Sequence, residues 1–362
     1  MTTLPRPTPD PVETPAPATG TPATMRAWRV VRHGEPSEVL ELADVPVPEP
    51  GPGEVLVRVR AVAVNFPDAL LARGRYQVQP ELPFVPGIEL SGDVAALGPG
   101  VSATRVAVGD RVVGSTIGVL SQYATVPVEA VRPAPETLDD AQAAALTIAY
   151  QTAWFGLHRR AGLRAGETLL VHAAAGGVGT AACQLGAAAG ARVIGVVGSE
   201  AKADVARAAG AEHVIVRGAD GADGADLAAQ VKELTAGAGA DVVFDPVGGT
   251  SFEQSTRCIA FEGRIVVVGF ASGEIPPVRA NHALVKNYSV LGLHWALYQQ
   301  RRPDLVDDAH ARLTELAAAG RVRPVVEGVV EFGDAPAAVQ RLADGRTTGR
   351  LVVRVASPGE GA

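Results

Sequence analysis

The stretch Thr168-Leu169-Leu170-Val171-His172-Ala173-Ala174-Ala175-Gly176-Gly177-Val178-Gly179 reads as an apolar strand, a turn of small residues and the opening of a helix. That context is the one a dinucleotide fingerprint requires. Set against G-x-G-x-x-G, the three positions are Ala174, Gly176 and Gly179, with alanine replacing the first glycine. Gly176 lets the backbone approach a pyrophosphate, and Gly179 lets the helix lie close on the strand. The N–H groups at Gly177 and Val178 would face the anion at the helix N-terminus. An ordinary tight strand-to-helix turn is the competing reading, and the downstream pattern of the chain decides against it. Strands are expected at Thr168–His172, Arg192–Val197, His213–Val216, Asp241–Asp245, Arg264–Gly269 and Ser289–Leu293. Helices are expected between them, at Val178–Ala189, Glu200–Ala209, Leu227–Ala236 and Ser251–Ala260. Such alternation specifies an α/β fold with a doubly wound parallel sheet.

Upstream the texture is different. From Met25 to about Pro135 the signals are mostly β, as in Val55-Leu56-Val57-Arg58-Val59, where apolar and polar residues alternate behind the turn Pro50-Gly51-Pro52-Gly53. Asp139–Ala161 is helical in pattern. Helices at Arg302–Ala319 and Ala335–Ala343 and a strand at Arg350–Val355 close the chain. The expected organisation is a β-rich catalytic domain over 25–150, a cofactor domain over 151–287, and an edge strand with return to the catalytic domain over 288–362. Residues 1–24 form a Pro/Thr/Ala tract without apolar periodicity, expected to be disordered, with Met25 as an alternative start.

Composition narrows the partners. The balance of 32 Lys+Arg against 39 Asp+Glu gives a net charge of −7, which disfavours nucleic-acid phosphates and anionic membrane surfaces. Two cysteines, Cys183 and Cys258, exclude a disulfide scaffold and a four-thiolate zinc site. Neither a secretory leader nor a membrane-spanning run is visible, so the cytoplasm is the expected location. Gly-x-Ser-x-Gly, P-loop and Tyr-x-x-x-Lys patterns are absent, which sets aside hydrolase, nucleotidase and short-chain reductase chemistry.

The end of the second strand bears on which dinucleotide binds. NAD readers place a carboxylate there for the ribose 2′-OH. Here Val193-Ile194-Gly195-Val196-Val197 runs into Gly198-Ser199 with no acid at its tip. Lys202 lies one helical turn on and Arg217 just after the third strand, so small residues and two cations make a pocket for a 2′-phosphate. NADPH is the expected cofactor. Glu200 as a ribose ligand and Lys202 as a solvated surface lysine stand as the alternatives.

Taken together, Val64-Asn65-Phe66-Pro67-Asp68, Pro86-Gly87-Ile88-Glu89, Gly109-Asp110-Arg111-Val112, the glycine turn, and Asp245-Pro246-Val247-Gly248-Gly249 resemble the medium-chain dehydrogenase/reductases, in their zinc-free quinone oxidoreductase branch. The resemblance runs from Met25 to Val355 and implies a GroES-like catalytic domain beside a Rossmann domain. Zinc-dependent relatives have a histidine where Ile88 stands and a cysteine before it, so the resemblance implies no metal. It places Asn65 near the nicotinamide and Tyr76 in the substrate cleft, with Asp68 beside them. Lys202 and Arg217 fall at the 2′-phosphate, Phe270, Ser272 and Gly273 in a loop over the nicotinamide, and Asn287 and Arg346 at late cofactor contacts. Leu70 departs from the pattern, since some quinone reductases have a second cleft tyrosine there. Asn65 and Asp68 also have a purely structural reading, because Pro67 opens a helix whose free N–H groups need acceptors.

The implied reaction is hydride transfer to a quinone, an enone or an enoyl thioester, with Tyr76 as hydrogen-bond donor or proton relay. The alternatives are a trans-acting enoyl-thioester reductase of polyketide or fatty-acid type, and a low-turnover NADPH-binding structural or RNA-associated protein. A homodimer through the edge strand Ser289–Leu293 is expected by resemblance. His172 reads as a packed core residue, Lys286 as a surface cation, and His282 and His294 lack a visible carboxylate partner.

Overall fold

The computed structural model describes residues 21–217 and 227–355. Most of the tract expected to be disordered, residues 1–20, lies outside them, and Thr24 already belongs to the first strand. That strand, β1 (Thr24–Val30), pairs antiparallel with β2 (Leu40–Pro46) as a small ribbon.

The catalytic domain is built on β3 (Glu54–Ala63), β4 (Leu90–Leu97), β5 (Arg111–Gly114), β6 (Tyr123–Pro127) and β7 (Val131–Pro133). β3 is the hub, with β4 and β6 both antiparallel to it. Its inward residues Val55, Val57 and Val59 are buried while Arg58 and Arg60 face outward, as alternation predicts.

The cofactor domain holds β8 (Thr168–Val171), β9 (Arg192–Val197), β10 (His213–Val216), β11 (Ala240–Asp245), β12 (Ile259–Val267) and β13 (Ser289–Gly292). They form one sheet in the order β10-β9-β8-β11-β12-β13, and every pairing is parallel. The order reverses between β8 and β11, so the crevice outside their carboxyl ends is where such a sheet receives a ligand.

The sequence misjudged several elements. β12 begins at Ile259 rather than Arg264; it passes through a register shift and Glu262 at φ +58°, an irregularity that hides its period. The helix before it therefore ends at Cys258. Further elements went unread, among them helices Ala280–Lys286 and Trp295–Arg301 and the strands β2, β4, β7 and β14 (Val326–Glu331). β14 pairs parallel with β15 (Arg350–Arg354), which is antiparallel to β3. The helix Pro303–Ala318 puts Val306, Ala309 and Leu313 into the same apolar core as Leu169 and Leu185, so the chain rejoins the catalytic sheet only at β14.

Candidate functional site

The glycine turn is built as its small residues require. β8 ends at Val171, Ala173 takes φ +50°, and the helix Gly177–Ala188 starts from Gly176. A Cβ at Gly179 would lie 2.1 Å from the Ala173 carbonyl oxygen, so only glycine lets this helix sit so close to the turn. The N–H groups of Gly177 and Val178 stand in the first turn of that helix, where no intrahelical carbonyl accepts them. With the helix dipole behind them they form a cradle that fits a pyrophosphate.

The end of the chain docks onto this turn. Gly349 N–H donates to the Ala175 carbonyl at 2.7 Å, and Gly349 bridges Gly176. Gly349 has φ +52°, and a Cβ there would meet the Val325 carbonyl at 2.3 Å. Arg350 then runs along Gly177 into the catalytic domain.

At the tip of β9, Gly198 and Ser199 are exposed, and a Cβ at Gly198 would enter open space. Arg217 N–H donates to the Val197 carbonyl at 2.9 Å, which fixes the third strand's end beside them. Lys202 Nζ donates to the Gly345 carbonyl at 3.0 Å, next in the chain to Arg346, whose guanidinium pairs with Asp344. Gly198, Ser199, Lys202, Arg217 and the Gly345 carbonyl are thus gathered from three separate segments. Glu200 is exposed in the first turn of its helix.

The loop after β12 folds back over the loop after β11. Ser272 Oγ and N–H both donate to the Val247 carbonyl, at 2.7 and 3.0 Å, and Phe270 stands against Gly248. Phe270, Ser272 and Gly273 therefore lie at the ligand edge of the sheet. Asn287 does not. It caps the helix Ala280–Lys286 in the left-handed conformation, and its carbonyl accepts Glu262 N–H at 2.8 Å. It precedes β13, at the amino ends of the parallel strands, whereas the glycine turn lies at their carboxyl ends. The expectation that Asn287 contacts the cofactor is corrected on that ground.

In the catalytic domain, Asn65 is the N-cap of the helix Phe66–Ala72, and Asp68 Oδ2 accepts its N–H at 2.7 Å. The Asn65 amide donates to the Ala63 carbonyl at 2.9 Å and to Glu89 Oε2 at 3.0 Å, and accepts from Arg350 Nη1 at 2.7 Å. Both its donors are spent and the side chain is buried, so the structural reading of Asn65 is the one the geometry supports. Asp68 is buried as well, and its Oδ1 has no partner. Burial pushes its carboxyl up to about 7, against the pull of the Asn65 N–H and the Arg350 charge. Tyr76 is half-buried; burial first, and then the Asp68 charge, raise its phenol above the ordinary value.

Sequence reasoning missed Glu89 and Arg350 as residues of this site. Glu89 Oε1 accepts Ile148 N–H at 2.6 Å, and its Oε2 takes Arg350 and Asn65. Glu89 ends the Pro86-Gly87-Ile88-Glu89 motif, but no spacing rule links it to Arg350. Burial pushes His172 down to about 4; it is wholly enclosed, with Nε2 at 2.7 Å from Ser255 Oγ. Lys286 caps the carbonyls of Thr256 and Arg257. His282 meets Tyr288, and His294 opens the helix Trp295–Arg301. Ile88 is buried and apolar, and no group of three or more His, Cys, Asp or Glu side chains among the described residues is arranged to hold a metal. No helix among them is long and apolar enough to cross a membrane.

Two family models match the chain: an alcohol dehydrogenase GroES-like domain over residues 51–136 and a zinc-binding dehydrogenase over residues 177–311. The quinone oxidoreductase-like protein 2 homolog of Nematostella vectensis is 37% identical over 337 residues, 92% of this chain and 90% of that one. The chain is a medium-chain dehydrogenase/reductase of the quinone oxidoreductase branch. This oxidoreductase also superposes on the Escherichia coli quinone oxidoreductase solved with NADPH, at TM-score 0.82 and 30% identity, covering 91% of this chain and 99% of that one. It is 34% identical to part of the phthioceranic/hydroxyphthioceranic acid synthase of Mycobacterium tuberculosis, over 89% of this chain and 15% of the synthase.

Proposed function

We propose that this oxidoreductase is an NADPH-dependent reductase of small conjugated acceptors, quinones or enones, that works without zinc in the cytoplasm. The observation that carries the cofactor is Lys202 held on the Gly345 carbonyl and the Arg217 backbone held on Val197, both beside Gly198 and Ser199, with no carboxylate as the last residue of the strand. A 2′-phosphate is the group such a cluster would recognise, through charge-assisted hydrogen bonds. Bound NADPH supplies a hydride to the acceptor. Gly177 and Val178 hold the pyrophosphate, and the Phe270–Gly273 loop excludes water from the nicotinamide end. Tyr76 gives the hydrogen bond that the acceptor oxygen needs as charge builds on it. Asp68, raised to about 7 beneath it, holds the proton reserve of the cleft. Ile88 offers no ligand atom where the zinc-dependent relatives place a histidine, which supports the zinc-free reading.

Direct binding of NADPH and NADH, with turnover on a small quinone panel before and after EDTA, tests the reading. The expected result is a strong preference for NADPH that falls in Lys202→Ala, and turnover that EDTA leaves intact. Equal affinity for both dinucleotides, or NADPH binding without turnover of any acceptor, overturns it.

The similarity to part of the phthioceranic/hydroxyphthioceranic acid synthase favours a second reading, a trans-acting enoyl-thioester reductase. Faster reduction of a carrier-bound enoyl thioester than of any quinone would select it.

We also propose a homodimer through the edge of the cofactor sheet. β13 pairs on one side only. Beside it the helix Ala280–Lys286 buries no residue, with Leu284 and Val285 76% and 75% exposed. An open edge flanked by apolar side chains fits a second copy of the same edge.

A further inference from the structure

The helix Gly249–Cys258, which follows β11, carries Ser251 and Ser255 one turn apart, and both are closed to solvent. The directions of their hydrogen bonds are determined. Ser255 Oγ donates to the Ser251 carbonyl at 2.8 Å, so its oxygen is left to accept, and His172 Nε2–H donates to it at 2.7 Å. At the other end, Ser251 Oγ accepts from Arg217 Nη1 at 2.9 Å.

Arg217 is therefore fixed twice. Its backbone N–H is tied to Val197, beside Gly198 and Ser199, and its guanidinium is tied to Ser251. Its Nη2 has no acceptor among the described residues. A surface arginine loses rotamer freedom when it grips an anion, and a guanidinium already held by one nitrogen loses less. We propose that Ser251 is a positioning residue for dinucleotide specificity: it orients Arg217 toward the 2′-phosphate, and Ser255 and His172 hold the helical turn that carries it. This rests on the NADPH reading above. It adds a determinant that touches neither cofactor nor acceptor.

The test is direct binding of NADPH, NADH, 2′,5′-ADP and 5′-ADP to the full chain and to Ser251→Ala, Ser251→Thr, Arg217→Ala and Lys202→Ala. Ser251→Ala is expected to weaken NADPH and 2′,5′-ADP roughly tenfold while leaving NADH and 5′-ADP unchanged. Ser251→Thr keeps a hydroxyl and is expected to keep the preference. If Ser251→Ala weakens all four ligands by the same factor, its role is merely structural and the proposal falls. If Arg217→Ala loses the phosphate preference and Ser251→Ala keeps it, the positioning role falls and the NADPH reading stands. A wild-type chain without preference for the phosphorylated ligands overturns both.

Discussion

Arg350 and Glu89 form an ion pair closed to solvent, with side chains 5% and 0% exposed, and it joins the last strand of the chain to the loop before β4. Because Arg350 follows the Gly349 contact on the glycine turn, the pair also ties the catalytic sheet to the cofactor cradle. Removing one partner leaves the other charge buried and uncompensated, which costs about 3–5 kcal/mol. Arg350→Met should lower stability by that amount in urea unfolding, and Glu89→Gln should follow it. A loss below about 1 kcal/mol in both would mean that solvent reaches the pair.

Asp68 gives a stability term with a defined sign. Its carboxyl is raised to about 7 in the folded chain, so between about 4 and 7 the folded state holds a proton that the unfolded state has released. Stability from this group is full below the unfolded value and is lost as pH rises through about 7, at up to about 1.4 kcal/mol per pH unit. Asp68→Asn removes that dependence while retaining an oxygen for the Asn65 N–H. The difference in urea midpoint, Asp68→Asn minus wild type, should grow from about pH 4.5 to about pH 7.5. A difference that stays flat or shrinks would show Asp68 ionised throughout.

Tyr76 is the one phenol proposed to meet the acceptor. Tyr76→Phe should lower kcat for an enone about 10- to 100-fold while NADPH affinity is unchanged. Unchanged kcat would assign the proton and the hydrogen bond to solvent.

How far the sequence could be read depends on where each signal lies. The turn Ala173–Gly179 and strands β9 and β10 were legible because alternation and small residues are local patterns. β12 was misplaced by five residues because its bulge breaks the period. β14 went unread because an edge strand with only half-buried apolar positions has no strong alternation. In the site, Lys202 and Arg217 were visible as cations after strand tips, each within one segment. The Glu89–Arg350 pair and the Ser251–Arg217 contact each join distant segments, and one chain without relatives beside it offers no pattern for such contacts. Asn65 shows the opposite case: the helix start is legible, and hydrogen bonds to Ala63, Glu89 and Arg350 account for its side chain without catalysis.

The dimer proposal makes the last prediction. Two β13 edges joined about a two-fold axis would continue one sheet across both chains and cover Leu284 and Val285. A carboxylate placed in that contact must be desolvated with no partner, which costs several kcal/mol, enough to separate an interface of this kind. Leu284 and Val285 are exposed and the helix Ala280–Lys286 has no fully buried residue, so Leu284→Glu with Val285→Glu should leave the fold intact. Light scattering on a sizing column should give twice the chain mass for the wild type and the chain mass for the double variant, with the same thermal transition at high dilution. A monomeric wild type, or a variant that stays dimeric, would place the contact elsewhere or remove it.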